Sequence, residues 1–284
     1  MIKLIAFVDG SSYSKSVCDY AAWIAGKVDG TVDLVHVLGR AGENSAPTDF
    51  SGSIGLGART ALLEELSELD GQMARLTHKR GRAILEDARD IISNAGVNQV
   101  STMLRNDGIV ETVQGFEKDA DLIIIGKRGE RSESDEEHLG SNFERVVRAS
   151  HKPIMVAARS FEPIKRFLIA FDGGASAMKA VNYLAQNRVF NDLECRLLSV
   201  TDPTAEAQQQ LESAAALLRE AGYAVEAEIR SGQPEAVICE TIRGDDIDLL
   251  LMGAYGHSRI RNLFIGSTTT QMIRSCKIPV LLFR

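Results

Sequence analysis

Leu249-Leu250-Leu251-Met252-Gly253-Ala254-Tyr255-Gly256, followed after nine residues by Gly266-Ser267-Thr268, is the stretch on which the fold turns. An apolar run that ends in glycine reads as a buried strand entering a tight loop. Glycines let backbone amides approach an oxyanion with no Cβ in the way, and they adopt backbone angles closed to other residues. Ser267 and Thr268 add hydroxyls, and residues 269–274 read as a helix whose unsatisfied N–H groups and positive dipole end face the same anion. A phosphate site is one reading of this loop. Glycines that merely turn the chain from strand to helix are the other.

The pattern occurs twice. Residues 120–129, Ala-Asp-Leu-Ile-Ile-Ile-Gly-Lys-Arg-Gly, parallel residues 247–256, Ile-Asp-Leu-Leu-Leu-Met-Gly-Ala-Tyr-Gly. Gly140-Ser141-Asn142 echoes Gly266-Ser267-Thr268, and residues 148–154 echo 274–280 ahead of a closing apolar strand. The openings match too, since residues 3–10 and 166–173 are short apolar strands ending in Asp9-Gly10 and Asp172-Gly173. After each comes a helical stretch, 14–26 or 175–187, and then a second strand, 32–37 or 195–200. Strand, helix and strand in that rhythm predict a parallel sheet. A chain of 284 residues accommodates two such domains, 1–159 and 160–284, with the boundary in residues 159–163.

A long helix follows the second strand in each half, marked by Leu62, Leu66, Leu69, Met73 and Leu76 and by Leu211, Ala215, Leu218 and Ala221. Spacings of three and four predict that these residues form core faces. The first run also fits a heptad seam for a partner, but it is short and Gly71 and Gly81 interrupt it, so the packed face is the expectation.

A net charge of −7 and a pI near 5.4 exclude a general nucleic-acid grip, which needs a basic face; a local basic patch stays open. No stretch reaches the roughly 18 to 20 apolar residues of a membrane span, and Asp9 breaks the apolar run at the N-terminus, so a soluble cytoplasmic protein is expected. Cys18, Cys195, Cys239 and Cys276 are scattered, as are His36, His78, His138, His151 and His257, so neighbours in sequence form no metal cluster and no nucleophile–base pair. Reduced, mostly buried thiols are expected. Residues 39–57, rich in Gly, Ser, Ala, Asn and Pro, read as a mobile loop. Within it Gly52-Ser53-Ile54-Gly55-Leu56-Gly57 only superficially suggests a phosphate loop, because no strand precedes it and no Lys-Ser/Thr follows.

Taken together, Asp at the end of the first strand, Gly-x-x-Gly after the fourth, nine residues, Gly-Ser-Thr and a closing Pro-Val strand resemble the universal stress protein family. The resemblance covers essentially the whole chain, twice. It implies two Rossmann-like α/β domains, each with a five-stranded parallel sheet flanked by helices, packed as an intramolecular pseudo-dimer. It also implies adenine-nucleotide binding (ATP, ADP or AMP, with or without Mg²⁺). On that pattern Asp172 lies near the ribose, and the main chain of Ala170 and Val200 near adenine. Met252 and Gly253 border the sugar and phosphates, and Gly256, Gly266, Ser267 and Thr268 hold phosphate. Residues 230–234, Arg-Ser-Gly-Gln-Pro, are similar to the family's strand-three exit loop over the nucleotide and bring in Gly232; an ordinary Gly-Pro loop is the other reading.

The two copies differ in charge. Residues 257–265 carry Arg259 and Arg261 and no acid, a field that favours a polyphosphate. Residues 130–139 carry Glu130, Glu133, Asp135, Glu136 and Glu137 against Arg131, and the loop is one residue longer. Asn142 replaces the Thr, and residues 105–109 lack a glycine at the position matching Gly232, whereas Lys127 and Arg128 add positive charge inside the first Gly-x-x-Gly. The nucleotide is therefore expected in the second half, with Asp9, Gly126, Gly129, Gly140, Ser141 and Asn142 forming a weaker second site. The function expected is that of a stress-response regulator whose occupancy changes the surface shown to an unidentified protein partner. A weak ATPase or nucleotidyl transferase and a non-binding structural adaptor are the alternatives. No catalytic residue is assigned: His257 reads as a phosphate-side donor and Asp172 as a ribose acceptor. Association of two chains into a homodimer is open.

Overall fold

The central strands are short runs of aliphatic residues buried on both faces, as a parallel sheet covered by helices on either side requires. Leu4-Ile5-Ala6, Leu122-Ile123-Ile124 and Leu249-Leu250-Leu251 are all essentially inaccessible to water. The computed structural model describes residues 1–38, 56–129, 141–187, 189–254 and 267–284. In the first half, β1 (Lys3–Phe7), α1 (Ser14–Val28), β2 (Thr31–Val37), α2 (Leu56–Asn94) and β3 (Val100–Arg105) precede α3 (Ile109–Phe116), β4 (Leu122–Gly126), α4 (Ser141–Ala149) and β5 (Ile154–Ala157). The second half repeats the order with β6 (Arg166–Ala170), α5 (Ala175–Asn187), β7 (Glu194–Val200), α6 (Ala205–Glu220) and β8 (Ala224–Arg230). It closes with α7 (Pro234–Gly244), β9 (Leu249–Gly253), α8 (Ser267–Ser275) and β10 (Val280–Phe283).

These strands form one ten-stranded sheet ordered β3-β2-β1-β4-β5-β10-β9-β6-β7-β8. Every neighbouring pair is parallel except β5 and β10, which run antiparallel with Met155 opposite Leu281 and Ile154 opposite Leu282. Helices α1, α2, α5 and α6 close one face over a core that includes Ala6, Ile124, Phe167 and Leu251. Helices α3, α4, α7 and α8 close the other over Ile5, Ile123, Leu168 and Leu250. The outermost strands β3 and β8 carry polar residues such as Ser101, Arg105, Glu226 and Glu228, which discourage pairing with another chain.

The segment joining the halves is packed down. Phe161 meets the edge of Tyr20 at 4.9 Å between ring centroids, and the Ser16 hydroxyl donates to the Ala158 carbonyl at 2.7 Å. Trp23 stacks on Phe190 at 5.8 Å, and beside it Lys27 pairs with Asp192.

Two expectations need correction. Helix α1 does not stop at Gly26; it continues to Val28 and ends at Asp29, whose left-handed φ of 48° lets its amide reach the Ala25 carbonyl. The larger correction concerns α2. Leu211, Ala215, Leu218 and Ala221 of the second half are core residues as expected, but Leu66, Leu69, Met73 and Leu76 are 37, 51, 62 and 60% exposed. The core face of α2 is instead Leu85, Ala88 and Ile92. The cause is length: α2 has 39 residues against 16 in α6. It settles on the sheet only from Gly81 onward, where a Cβ would lie 2.7 Å from Leu104 and 2.9 Å from His36. Residues 56–80 project about 37 Å beyond that point at 1.5 Å per residue. Of the expected mobile loop, residues 39–55 lie outside the described residues, and Leu56 and Gly57 open α2.

Because Leu281 is buried in the β5–β10 pair that joins the halves, Leu281→Ala should cost about 2–5 kcal/mol. Urea unfolding followed by circular dichroism measures it, and a loss below this range would mean that the pair adds little to stability.

Candidate functional site

In the order β7-β6-β9 the chain leaves β6 toward one side and returns on the other, and at such a switch point the loops beyond the strand ends diverge to leave a crevice. Ala170 ends β6 in register with Met252 of β9 and Leu198 of β7. Val200 ends β7 opposite Arg230, and Gly253 ends β9. Asp172 follows β6 by two residues and is exposed. Its Oδ1 accepts from the Gly174 amide at 2.9 Å, which holds the carboxylate at the positive N-terminal end of α5. The turn requires glycine at Gly173, where φ is +72°.

The start of α8 is tied to the end of β9 by the buried Thr269, whose hydroxyl donates to the Gly253 carbonyl at 3.2 Å. Ser267 and Thr268 are the first two residues of α8, so the helix N-terminus stands beside the end of β9. A Cβ on Gly253 would fall 2.9 Å from that of Ser176, so packing against α5 alone explains this glycine. Gly232, with φ +139°, lies in the exposed turn between β8 and α7. Arg230 is held back from it by Glu240 at 2.9 Å and Thr241 at 3.1 Å. Gly256, His257 and Gly266, with Arg259 and Arg261, lie outside the described residues.

The first half builds the same frame and fills it differently. Asp9 Oδ1 accepts from the Ser11 amide at 3.0 Å and the Ser14 hydroxyl at 3.2 Å at the start of α1. A Cβ on Gly129 would sit 2.7 Å from Asp9 Oδ2, so an acid lies against the second glycine of the motif; one on Gly126 would meet Tyr13 at 2.8 Å. Phe7 stands where the second half has Ala170, and the buried Phe143 where it has Thr269. Ile84 of α2 leans over Gly10, reaching within 2.9 Å of where a Cβ would be. Ser141 and Asn142 open α4, and Gly140 lies outside the described residues.

The model of the universal stress protein family matches residues 1–158 and again 163–284. The chain belongs to the universal stress protein family. It is 37% identical to a universal stress protein of Synechocystis sp. over the full length of both. It is 21% identical to one of Mycolicibacterium smegmatis, covering 99% of this chain and 96% of the other. The crystal structure of a universal stress protein from Archaeoglobus fulgidus, 18% identical, shares the fold with a TM-score of 0.70 over 99% of this chain and 96% of that one.

In this universal stress protein Lys127 does not serve the first glycine loop. Its ammonium donates to the carbonyls of Arg274 at 2.8 Å and Cys276 at 3.2 Å, capping the C-terminal end of α8 in the other half. Arg284 answers it by donating to the Arg148 carbonyl at the end of α4. Burial, with Arg128 nearby, lowers the Lys127 pKa to about 8. Burial also pushes the thiols of Cys18, Cys195 and Cys276 up to about 12, which makes them poor nucleophiles at neutral pH. Among the described residues no His, Cys, Asp and Glu cluster is arranged for a metal ion. No described helix is long and apolar enough to cross a membrane.

Sequence reasoning passed over Phe7, Ile84, Phe143 and Thr269. Laying the two repeats side by side exposes Phe7 against Ala170 and Phe143 against Thr269. No sequence signal points to Ile84 or to the partners of Lys127.

The folded pKa of Lys127, about 8, lies below its ordinary value of 10.5, so between those values the unfolded chain holds more protons and stability rises with pH. The stability difference between the wild-type chain and Lys127→Met should therefore move in favour of wild type between pH 8 and pH 10.5. Urea midpoints at the two ends of that window measure it; a constant difference would mean that Lys127 titrates as in the unfolded chain.

Proposed function

We propose that this protein binds an adenine nucleotide (ATP, ADP or AMP, with or without Mg²⁺) in its second half, and that occupancy regulates the surface it shows to a protein partner. Residues 1–159 then form a degenerate partner domain and residues 160–284 the binding domain of an intramolecular pseudo-dimer. The observation that carries the reading is the contrast at the switch point, where small Ala170 edges one crevice and Phe7 the other. There a methyl would leave room for a flat adenine ring, and a phenyl, packed on the core beneath α3 and α4, would leave less. Main-chain groups of Ala170 and Val200 would meet the base, Asp172 the ribose, and Met252 and Gly253 the sugar and phosphates. Gly232 would lie over the nucleotide, and Gly256, His257, Gly266, Ser267 and Thr268 would take the phosphates. The helix N-terminus at Ser267 favours a phosphate group for the same reason that it carries unsatisfied N–H donors.

Calorimetric titration of ATP and of AMP, each with Mg²⁺, tests this. One site per chain is expected. Ala170→Phe and Gly266→Glu should each weaken binding at least about tenfold, roughly 1.4 kcal/mol, while Gly140→Glu leaves it unchanged. Loss of binding in Gly140→Glu would move the nucleotide to the first half, and no binding at all would favour the adaptor.

A further inference from the structure

The projecting half of α2 carries an apolar seam that the fold leaves open. Leu62, Leu66, Leu69, Met73 and Leu76 follow one another at intervals of four, three, four and three, the a and d positions of a heptad repeat. The last four are exposed, and Leu63 beside them is 51% exposed. A row of large apolar side chains on one stripe of a helix that stands clear of its own core is a surface shaped for another helix.

Charge decides which one. The N-terminal part of the stripe is flanked by Glu64, Glu65, Glu68 and Asp70, and the C-terminal part by Arg75, Lys79 and Arg82; Arg80, the next position along the seam, turns toward Gly10. Such a helix is complementary to itself turned end for end. Placed side by side in the same direction, two copies would set acid against acid, with Glu65 opposite Asp70 of the other copy. Placed antiparallel, Leu66 packs on Leu76 and Leu69 on Met73, around a two-fold axis close to Gly71. Glu65 then faces Lys79 twice, against one unfavourable approach of Asp70 to its own copy at the axis. The flank at Thr77 is compatible with this packing, because its hydroxyl is already bonded to the Met73 carbonyl at 2.9 Å and its methyl is left to face Leu63. Gly71 is on the outer side of the helix and obstructs nothing.

We infer that two chains associate through an antiparallel coiled coil of the projecting α2 segments, residues 63–79. The seam is short, but it is pre-organised. From Gly81 to Ile92 the same helix is fixed on the sheet by Leu85, Ala88 and Ile92, so association does not have to order a free peptide. The dimer this produces is distinct from the β5–β10 contact, which joins the halves within one chain.

Sedimentation equilibrium of the full chain over a range of concentrations tests the inference, with circular dichroism to confirm folding. A monomer–dimer equilibrium is expected, abolished by Leu69→Glu; because Leu69 is exposed, that variant should keep its fold. Glu65→Lys and Lys79→Glu should each weaken the dimer about tenfold, and the double variant should restore it. In disulfide trapping, a chain with Leu69→Cys should couple to a chain with Met73→Cys and not to its own kind. A monomer at every concentration would overturn the proposal and leave the seam to a different partner. A dimer indifferent to Leu69→Glu would overturn it by placing the contact elsewhere, and coupling of Leu69→Cys to itself would overturn the antiparallel arrangement. None of these variants touches the nucleotide crevice, so failure here leaves the calorimetric outcome independent.

Discussion

An open parallel sheet has a row of unsatisfied amide and carbonyl groups along each edge, and this chain uses one half to cover an edge of the other. Each half alone would end at its fifth strand, a run buried on both faces and therefore too apolar to be left at a border. Pairing β5 with β10 satisfies both backbones at once and makes the two helical layers continuous across the join. The rest of the architecture follows. The antiparallel join sets the end of β4 beside the C-terminus of α8, so that Lys127 reaches two carbonyls there, and it sets the chain end beside α4, so that Arg284 does the reciprocal.

Much of this was legible in the sequence because the repeat doubles every signal. Asp-Gly after a short strand, and strand–Gly-x-x-Gly–helix, each occur twice at matching places, and the observed strands lie where those patterns put them. What escaped was information that periodicity does not contain. The spacing of Leu62 to Leu76 says that one face of a helix is apolar, but not whether that face has a partner. Only the docking point at Gly81 shows that the core begins later. The role of Lys127 depends on carbonyls 147 and 149 residues away, and no local pattern can report it. The proposed phosphate side of the site, at Gly256, His257 and Gly266, lies outside the described residues, and its signal is the spacing of glycines in the sequence.

The two halves build one frame with different side chains. Their backbones remain alike: both carry an aspartate on a glycine turn at a helix N-terminus and a glycine at the end of the neighbouring strand. The differences are side chains, Phe7 against Ala170, Phe143 against Thr269, and Ile84 over Gly10. Large apolar groups stand in the first half where the second has small or polar ones, a difference that favours packing at the strand ends over room. A separate single-domain protein assembling as a symmetric pair cannot make that exchange, because any substitution would enter both crevices.

The packed segment from Ala158 to Ile164 has a further consequence. With Phe161 against Tyr20 and Ser16 bonded to Ala158, the tether is short and fixed, so β5 and β10 never meet as strangers. Joining two surfaces by such a tether sets an effective concentration in the millimolar range or above. The antiparallel pair involves strands of only four residues each, a contact that would be weak between independent chains. Within one chain its formation does not depend on how much of the protein the cell contains, and the ten-stranded sheet is the same in a dilute cell as in a crowded one.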